Sequence, residues 1–264
     1  MTDTGRIVAV TGASSGIGLA AARLFRDRGD KVYCLSRTDP KEPGITFIHT
    51  DVTDEASVNA AFGAIGKAEG HIDVLLSNAG IGVSGAAECT TMQDAKRQLD
   101  VNFFGLHACV RAAVPLMRAH GGTILATSSV AAVFAIPFQA FYSASKFAVN
   151  ALVLALANEL KPFNIRVAAI MPGDVKTGFT GARIKAEDDH NYGQSVEKSV
   201  AVMERDEQNG MGPELIAKRF VALSLKKHPK VLSTVGLQYK FFCFLGKVLP
   251  IRLQNFIVGK MYIK

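Results

Sequence analysis

The sequence predicts a three-layer α/β fold: a doubly wound parallel sheet with helices on both faces, in a single domain with a C-terminal helical extension. Three observations carry this. Short apolar runs alternate with 10–15-residue helical patterns, which is the signature of βαβ crossovers. The strand-like runs are almost continuously apolar, as strands covered on both faces are. No Pro/Ser-rich linker, internal repeat or low-complexity stretch divides the 264 residues.

The expected strands are Ile7–Thr11, Lys31–Ser36, Ile45–His49, Ile72–Ser77, Thr123–Thr127, Ile165–Met171 and Val231–Val235. Helices are expected from the glycine turn to about Arg28, over Asp54–Glu69 and over Phe141–Lys161. Met92–His120 reads as one long helix or two abutting ones. Residues 176–212 are polar and glycine-containing and break this rhythm, so they are expected to form a substrate lid or loop insertion.

Composition excludes several classes. The chain is 48% hydrophobic and 20% charged, which suffices for a packed core. Met1–Arg6 lacks a signal-peptide layout, and no uninterrupted apolar run reaches membrane-spanning length, so a cytoplasmic protein is expected. Cys34, Cys89, Cys109 and Cys243 show no CxxC spacing and the six histidines no HExxH pattern, so no metal site is expected. The net charge of +7 is uneven. Gly212 to Lys264 holds ten Lys/Arg and one acid, while the remainder holds 20 bases and 22 acids. A basic tail alone, without a reading motif, gives no ground for nucleic-acid binding.

Thr11-Gly12-Ala13-Ser14-Ser15-Gly16-Ile17-Gly18 joins the first strand to the first helix. Glycines allow the tight turn and a close ligand approach, and a helix N-terminus offers free N–H groups and partial positive charge to a pyrophosphate. The cofactor's ribose is read at the end of the second strand, where an acid suits NAD and an arginine suits NADP. That strand ends Ser36-Arg37, which points to NADP(H); the alternative is that Arg37 is a solvated surface charge.

Tyr142 and Lys146 are four residues apart and share a helix face. An ammonium beside the phenol, together with an oxidised nicotinamide ring, is expected to lower the phenol's pKa enough for proton transfer to a carbonyl oxygen.

Taken together, the TGxxxGIG turn, Asn78-Ala79-Gly80, Asn102, Ser129 and the YxxxK pair resemble the short-chain dehydrogenase/reductase family over about residues 6–180. The layout is similar to its hydroxysteroid, retinol and acyl-dihydroxyacetone-phosphate reductase branch. The resemblance implies a Rossmann-type domain and a catalytic group of Asn102, Ser129, Tyr142 and Lys146. Ser129 would bind the substrate oxygen, Ser128 being the competing candidate. Asn102 would hold a water linking Lys146 to solvent. Asp51, followed by Val52, would take the adenine amino group, and Asn78, Ala79 and Gly80 would flank the adenosine ribose. Pro172, Gly173, Val175 and Thr177 would border the nicotinamide, with Thr177 bonding its carboxamide. For Asp51 and Thr177 the alternative is a turn-capping role.

Val130–Phe138 is wholly apolar and, with Val175, Phe179, Met203 and Met211, implies a pocket for a hydrophobic ketone or secondary alcohol, such as a steroid, retinoid or acyl lipid. Residues 238–264 mix apolar and basic side chains; they contact a membrane surface peripherally or pack on the domain. A homodimer or homotetramer is expected from the resemblance. Other readings are a 3-oxoacyl-carrier-protein reductase, whose usual basic residue at position 15 is here Ser15, and a silent NADP-binding regulator, which would commonly lack the tyrosine or lysine.

Overall fold

A computed structural model describes residues 5–187 and 191–263. The sequence readings made on residues 1–4, 188–190 and 264 lie outside the described residues. Seven parallel strands form the central sheet: β1 (Ile7–Thr11), β2 (Lys31–Ser36), β3 (Ile45–His49), β4 (Val74–Ser77), β6 (Gly122–Thr127), β7 (Ile165–Met171) and β9 (Leu232–Thr234). Their spatial order is β3-β2-β1-β4-β6-β7-β9. Two short strands, β5 (Val83–Ser84) and β8 (Ile184–Lys185), pair with each other outside it.

Strand alternation divides the core. Val8 and Val10 of β1 face one layer, where α1 (Gly16–Asp27) and α7 (Pro213–Ser224) pack through Phe25 and Phe220. Ile7 and Ala9 face the other layer, built from α2 (Glu55–Glu69), α4 (Gly105–Met117) and α5 (Ala140–Glu159) through Phe62, Ile65, Val110, Val149 and Val153. The chain runs β1-β2-β3 outward, then returns to place β4 on the other side of β1. That reversal opens a crevice at the carboxyl ends of β1 and β4, the place where open α/β sheets bind ligands.

The region expected as one or two helices resolves into α3 (Met92–Leu99), a π-helical turn (Asp100–Phe104) and α4. The Thr91 hydroxyl caps α3 by accepting from the Asp94 amide at 3.0 Å. The segment 176–212 is not an unbroken loop. It contains α6 (Ser195–Gln208), whose Val196, Ser199, Val200 and Met203 make a buried stripe at helical spacing. Its charged outer face hid that stripe from a reading based on composition. The C-terminal extension is helical as expected, in α8 (Leu237–Val248) and α9 (Ile251–Tyr262). α5 has the length and apolar character to cross a bilayer, yet its Val149/Val153 face packs against the sheet.

Phe25 is fully buried between α1 and the sheet, with the Arg6 guanidinium 5.7 Å from its ring. Phe25→Ala is expected to destabilise the chain by about 3–5 kcal/mol through lost burial and a residual cavity. Urea unfolding followed by far-UV circular dichroism measures this, and a loss below about 1 kcal/mol would contradict the packing described.

Candidate active site

The crevice is one cavity of about 1050 Å³. The glycine turn forms its floor. α1 starts at Gly16 with no side-chain cap and no acid in its first turn, so its N–H groups are left for an anion. Gly12 and Gly16 have φ of +63° and +54°, in the region that favours glycine. A methyl group at Gly12 would lie 2.8 Å from the Ala79 Cα, and one at Gly18 would lie 2.4 Å from the Gly12 carbonyl oxygen. These glycines therefore let the turn, α1 and the segment after β4 approach backbone to backbone. Gly12, Ser14, Ser15, Gly16 and Ile17 line the cavity; Gly18 lies behind, supporting the turn.

Asn78, at the end of β4, ties the crevice together. Its amide N–H donates to the Thr11 hydroxyl at 2.9 Å, and its side-chain carbonyl accepts from the Thr127 hydroxyl at 2.9 Å. The Thr11 hydroxyl also accepts from the Ala79 amide at 3.1 Å. Gly80 follows where a Cβ would lie 3.3 Å from Asn102 Oδ1 and 3.8 Å from Lys146 Nζ.

Along one wall, the ends of β2 and β3 place Ser36, Arg37, Asp51 and Val52 on the cavity. Arg37 is exposed. Ser36 donates its hydroxyl to the Thr38 carbonyl oxygen at 2.7 Å. Burial acts to raise the Asp51 pKa, but bonds from the Thr53 amide and hydroxyl, with the charges of Arg37 and His49, leave it below the usual carboxylate range. Asp51 thus caps its turn and lines the cavity at once. Thr177 does the same: its hydroxyl accepts from the Phe179 amide at 3.2 Å, and its methyl side lies over Gly16. Pro172, Gly173 and Val175 line the opposite wall.

α5 delivers Tyr142 and Lys146 into the same space. Lys146 is buried and donates to the Thr127 carbonyl oxygen at 2.9 Å, with Nζ 5.7 Å from the centre of the Tyr142 ring. Burial pushes its pKa down to about 8. Burial likewise pushes the Tyr142 phenol up to about 12; a hydrogen bond with Ser129 and the charge of Arg183 oppose that shift, while Glu207 and Asp174 add to it. The protein's own groups therefore hold the phenol protonated. Desolvation is the largest influence on the phenol, and the Lys146 ammonium lies beside the ring while donating to the Thr127 carbonyl oxygen.

The two serines separate clearly. Ser128 donates to Asn150 Oδ1 at 2.7 Å inside the domain, whereas the Ser129 hydroxyl accepts from the Ala131 amide at 3.1 Å and lines the cavity with Tyr142. Asn102 does not line the cavity. It sits in the π-helical turn, where its Oδ1 accepts from the Ile81 amide at 2.9 Å. Its Nδ2 donates to the Ile81 carbonyl at 3.1 Å and to the Ser145 hydroxyl at 3.0 Å.

Beyond Tyr142 the cavity turns apolar. Val130, Ala131, Phe134 and Ile136 form one side, and Phe179, Met203 and Met211 another. The Phe179 ring lies 5.8 Å from that of Tyr142. The third side comes from the C-terminal extension, whose packing on the domain is one of the two readings of its sequence: Leu245 of α8, Leu249 just after it, and Ile257, Val258 and Met261 of α9. Tyr239 of α8 donates to Asp174 Oδ2 at 2.7 Å and presses its ring on Gly173, where a Cβ would lie 2.0 Å away. The buried spacing Tyr239, Cys243, Gln254, Val258 was the available signal. Three acids were missed in the sequence: Asp174, Asp206 and Glu207 line the wall near Tyr142, with Glu207 bound to Arg183.

The short chain dehydrogenase family profile matches residues 6–188. The chain is a short-chain dehydrogenase. A 3-ketodihydrosphingosine reductase of Bacteroides thetaiotaomicron is 38% identical over 236 residues, 88% of each chain. The probable short-chain type dehydrogenase/reductase VdlC of Helicobacter pylori is 33% identical over 91% of this chain and 92% of that protein. A short-chain dehydrogenase from Streptomyces avermitilis superposes over 98% of both chains with a TM-score of 0.86 at 27% identity. An alcohol dehydrogenase of Thermococcus sibiricus, solved with 5-hydroxy-NADP, superposes with a TM-score of 0.72 at 25% identity, over 87% of this chain and 95% of that one. As a family member, the chain is an oxidoreductase acting on CH–OH groups with a nicotinamide dinucleotide as cofactor.

A buried lysine charge costs stability. With its pKa near 8 in the folded chain, against about 10.4 unfolded, that cost is full below pH 8 and gone above about pH 10.5. Lys146→Met is therefore expected to stabilise the chain by up to about 3 kcal/mol at pH 7. The gain should shrink as pH rises from 8 to 10.5, because the parent gains stability across that window. Denaturation midpoints of both proteins against pH test this; a gain independent of pH would refute a charged, desolvated Lys146.

Proposed function

We propose that this chain is an NADP(H)-dependent reductase of a ketone on a long-chain amphiphile, with Tyr142 as the general acid. The observation that carries the reading is the cavity beside Tyr142: apolar on three sides, yet bearing carboxylates close to the phenol. Such a space suits a ligand with a long hydrocarbon body and a small polar, cationic end next to the carbonyl. The name of the Bacteroides relative supports this, because 3-ketodihydrosphingosine is an amino ketone on a long alkyl chain.

The bound nicotinamide supplies the hydride. The glycine turn and the uncapped start of α1 would hold its pyrophosphate, and Arg37 the ribose phosphate that marks NADP. Asp51 and Val52 would border its adenine, Asn78 to Gly80 the adenosine ribose, and Thr177 the carboxamide. Ser129 orients the substrate oxygen beside Tyr142. Tyr142, held protonated by its surroundings, donates its proton to that oxygen as negative charge grows there. Lys146 steadies the phenolate left behind. Asn102 acts by fixing Ile81 and Ser145 around Lys146. The polar segment 176–212 serves as the substrate lid. Four free thiols suit a reducing cytoplasm, and the exposed Phe147 and Leu154 on α5 suit a homodimer or homotetramer.

The test is a panel of 3-ketodihydrosphingosine, steroid and retinoid ketones and acyl-dihydroxyacetone phosphate, assayed with NADPH. Turnover is expected for the amino ketone; turnover confined to the others would overturn the substrate class. Tyr142→Phe is expected to lower kcat by about 100- to 10,000-fold while NADPH still binds, as judged by its fluorescence. Full turnover by that variant would sink the mechanism. Arg37→Ala is expected to weaken NADPH about ten- to hundredfold with little change for NADH. A parent enzyme that prefers NADH would remove the role given to Arg37.

A further inference from the structure

α8 and α9 each have two different faces. On the inner side, Tyr239 and Cys243 are buried, and Gly246 lies so close to the 130–138 segment that a methyl there would sit 2.5 Å from Val133 and 3.0 Å from Phe134. Gln254 ties α9 back onto α8 by donating to the carbonyls of Gly246 and Leu249, at 3.1 and 2.7 Å. The pair is thus fixed to the domain as one wall of the cavity.

The outer side is apolar and bare. Among the described residues, eleven of the seventeen exposed large apolar side chains fall within Leu237–Ile263, and eight of those eleven lie off the cavity lining. Leu237, Phe241, Phe244 and Val248 repeat at helical spacing along α8, and Ile251 and Phe256 continue the surface on α9. Concentrated exposure of this kind marks an interaction surface rather than scattered apolar residues.

Charge selects the partner. Lys240, Lys247, Arg252 and Lys260 are exposed among these side chains and form no ion pair with a described residue. No acidic residue follows Glu214 in the sequence. A second copy joined through the same patch by a two-fold axis would set these cations against their own kind. An anionic bilayer offers both complements, hydrocarbon for the phenylalanines and headgroup charge for the lysines and arginine.

We propose that α8 and α9 seat this enzyme on an anionic phospholipid bilayer, and that the cavity they wall takes its substrate directly from that bilayer. The loading step rests on the lipid-ketone reading above; the docking does not. Leu245, Ile257 and Met261 line the cavity on the same two helices, with Leu249 between them, so a chain leaving the bilayer meets apolar side chains on its way toward Tyr142.

Flotation of the full-length protein with phosphatidylcholine vesicles, with and without phosphatidylglycerol, tests the docking. The protein is expected to float with the anionic vesicles, and less so in high salt. Phe241→Glu/Phe244→Glu/Phe256→Glu changes side chains outside the cavity lining. It is expected to abolish flotation and lower turnover of a ketone lipid held in vesicles, while NADPH binding and reduction of a water-soluble short-chain ketone stay at parent level. Each Lys→Gln substitution at 240, 247 or 260 should weaken partitioning about fivefold. A parent that stays off anionic vesicles, or a triple variant that floats equally well, would overturn the proposal. So would sedimentation showing that the triple variant only splits a dimer. Flotation without turnover of any ketone would instead remove the reductase reading and the loading step, and leave the docking standing.

Discussion

The site depends on the bonds that Asn78 makes across the carboxyl edge of the sheet. β4 lies between β1 and β6, and Asn78 at its end is joined to Thr11 on one side and Thr127 on the other. The Thr127 carbonyl then receives Lys146. One short chain of hydrogen bonds thus sets the distance between the glycine turn and the helix bearing Tyr142. Both functional halves are placed by backbone and small polar groups, which have little freedom to drift. The arrangement sits where the strand order reverses, so the crevice follows from the topology and Asn78 determines its width.

The same geometry explains the electrostatics. Bringing Tyr142 and Lys146 together buries the lysine and half-buries the tyrosine, and desolvation moves their pKa values toward the neutral forms. The neutral form of tyrosine is the one that can give a proton, and the lysine is brought near the range in which it can exchange one. Asp174 and Glu207 strengthen the hold on the phenol proton, and Arg183 weakens it.

Much of the cofactor half was legible in the sequence, because its chemistry is local. A glycine turn between a strand and a helix, Arg37 at a strand end and YxxxK on a helix each carry meaning within a few residues. The spacing rules placed β1, β2, β3 and β7 at their observed limits and β4, β6 and β9 within two residues. The substrate half was less legible, because it is assembled from distant segments. Nothing adjacent in sequence announces that Tyr239 reaches Asp174, or that Gly246 meets Phe134. The stripe of α6 was masked by its charged outer face, and the direction of the Tyr142 shift depended on burial that no motif expresses. The committed hydrogen bonds of Asn102 belong with these, since a π-helical turn aims its side chain at Ile81 and Ser145.

The contact of Tyr239 with Asp174 and Gly173 also orders the events of synthesis. The sheet's switch point and the glycine turn are drawn from residues before Thr177. The wall that encloses the substrate is made later, and it can settle only on a crevice whose Pro172-Gly173 loop is already in place. Domains form from the N-terminal side as chains emerge. In chain order, the cofactor side of the crevice is therefore made before the wall that encloses its far end.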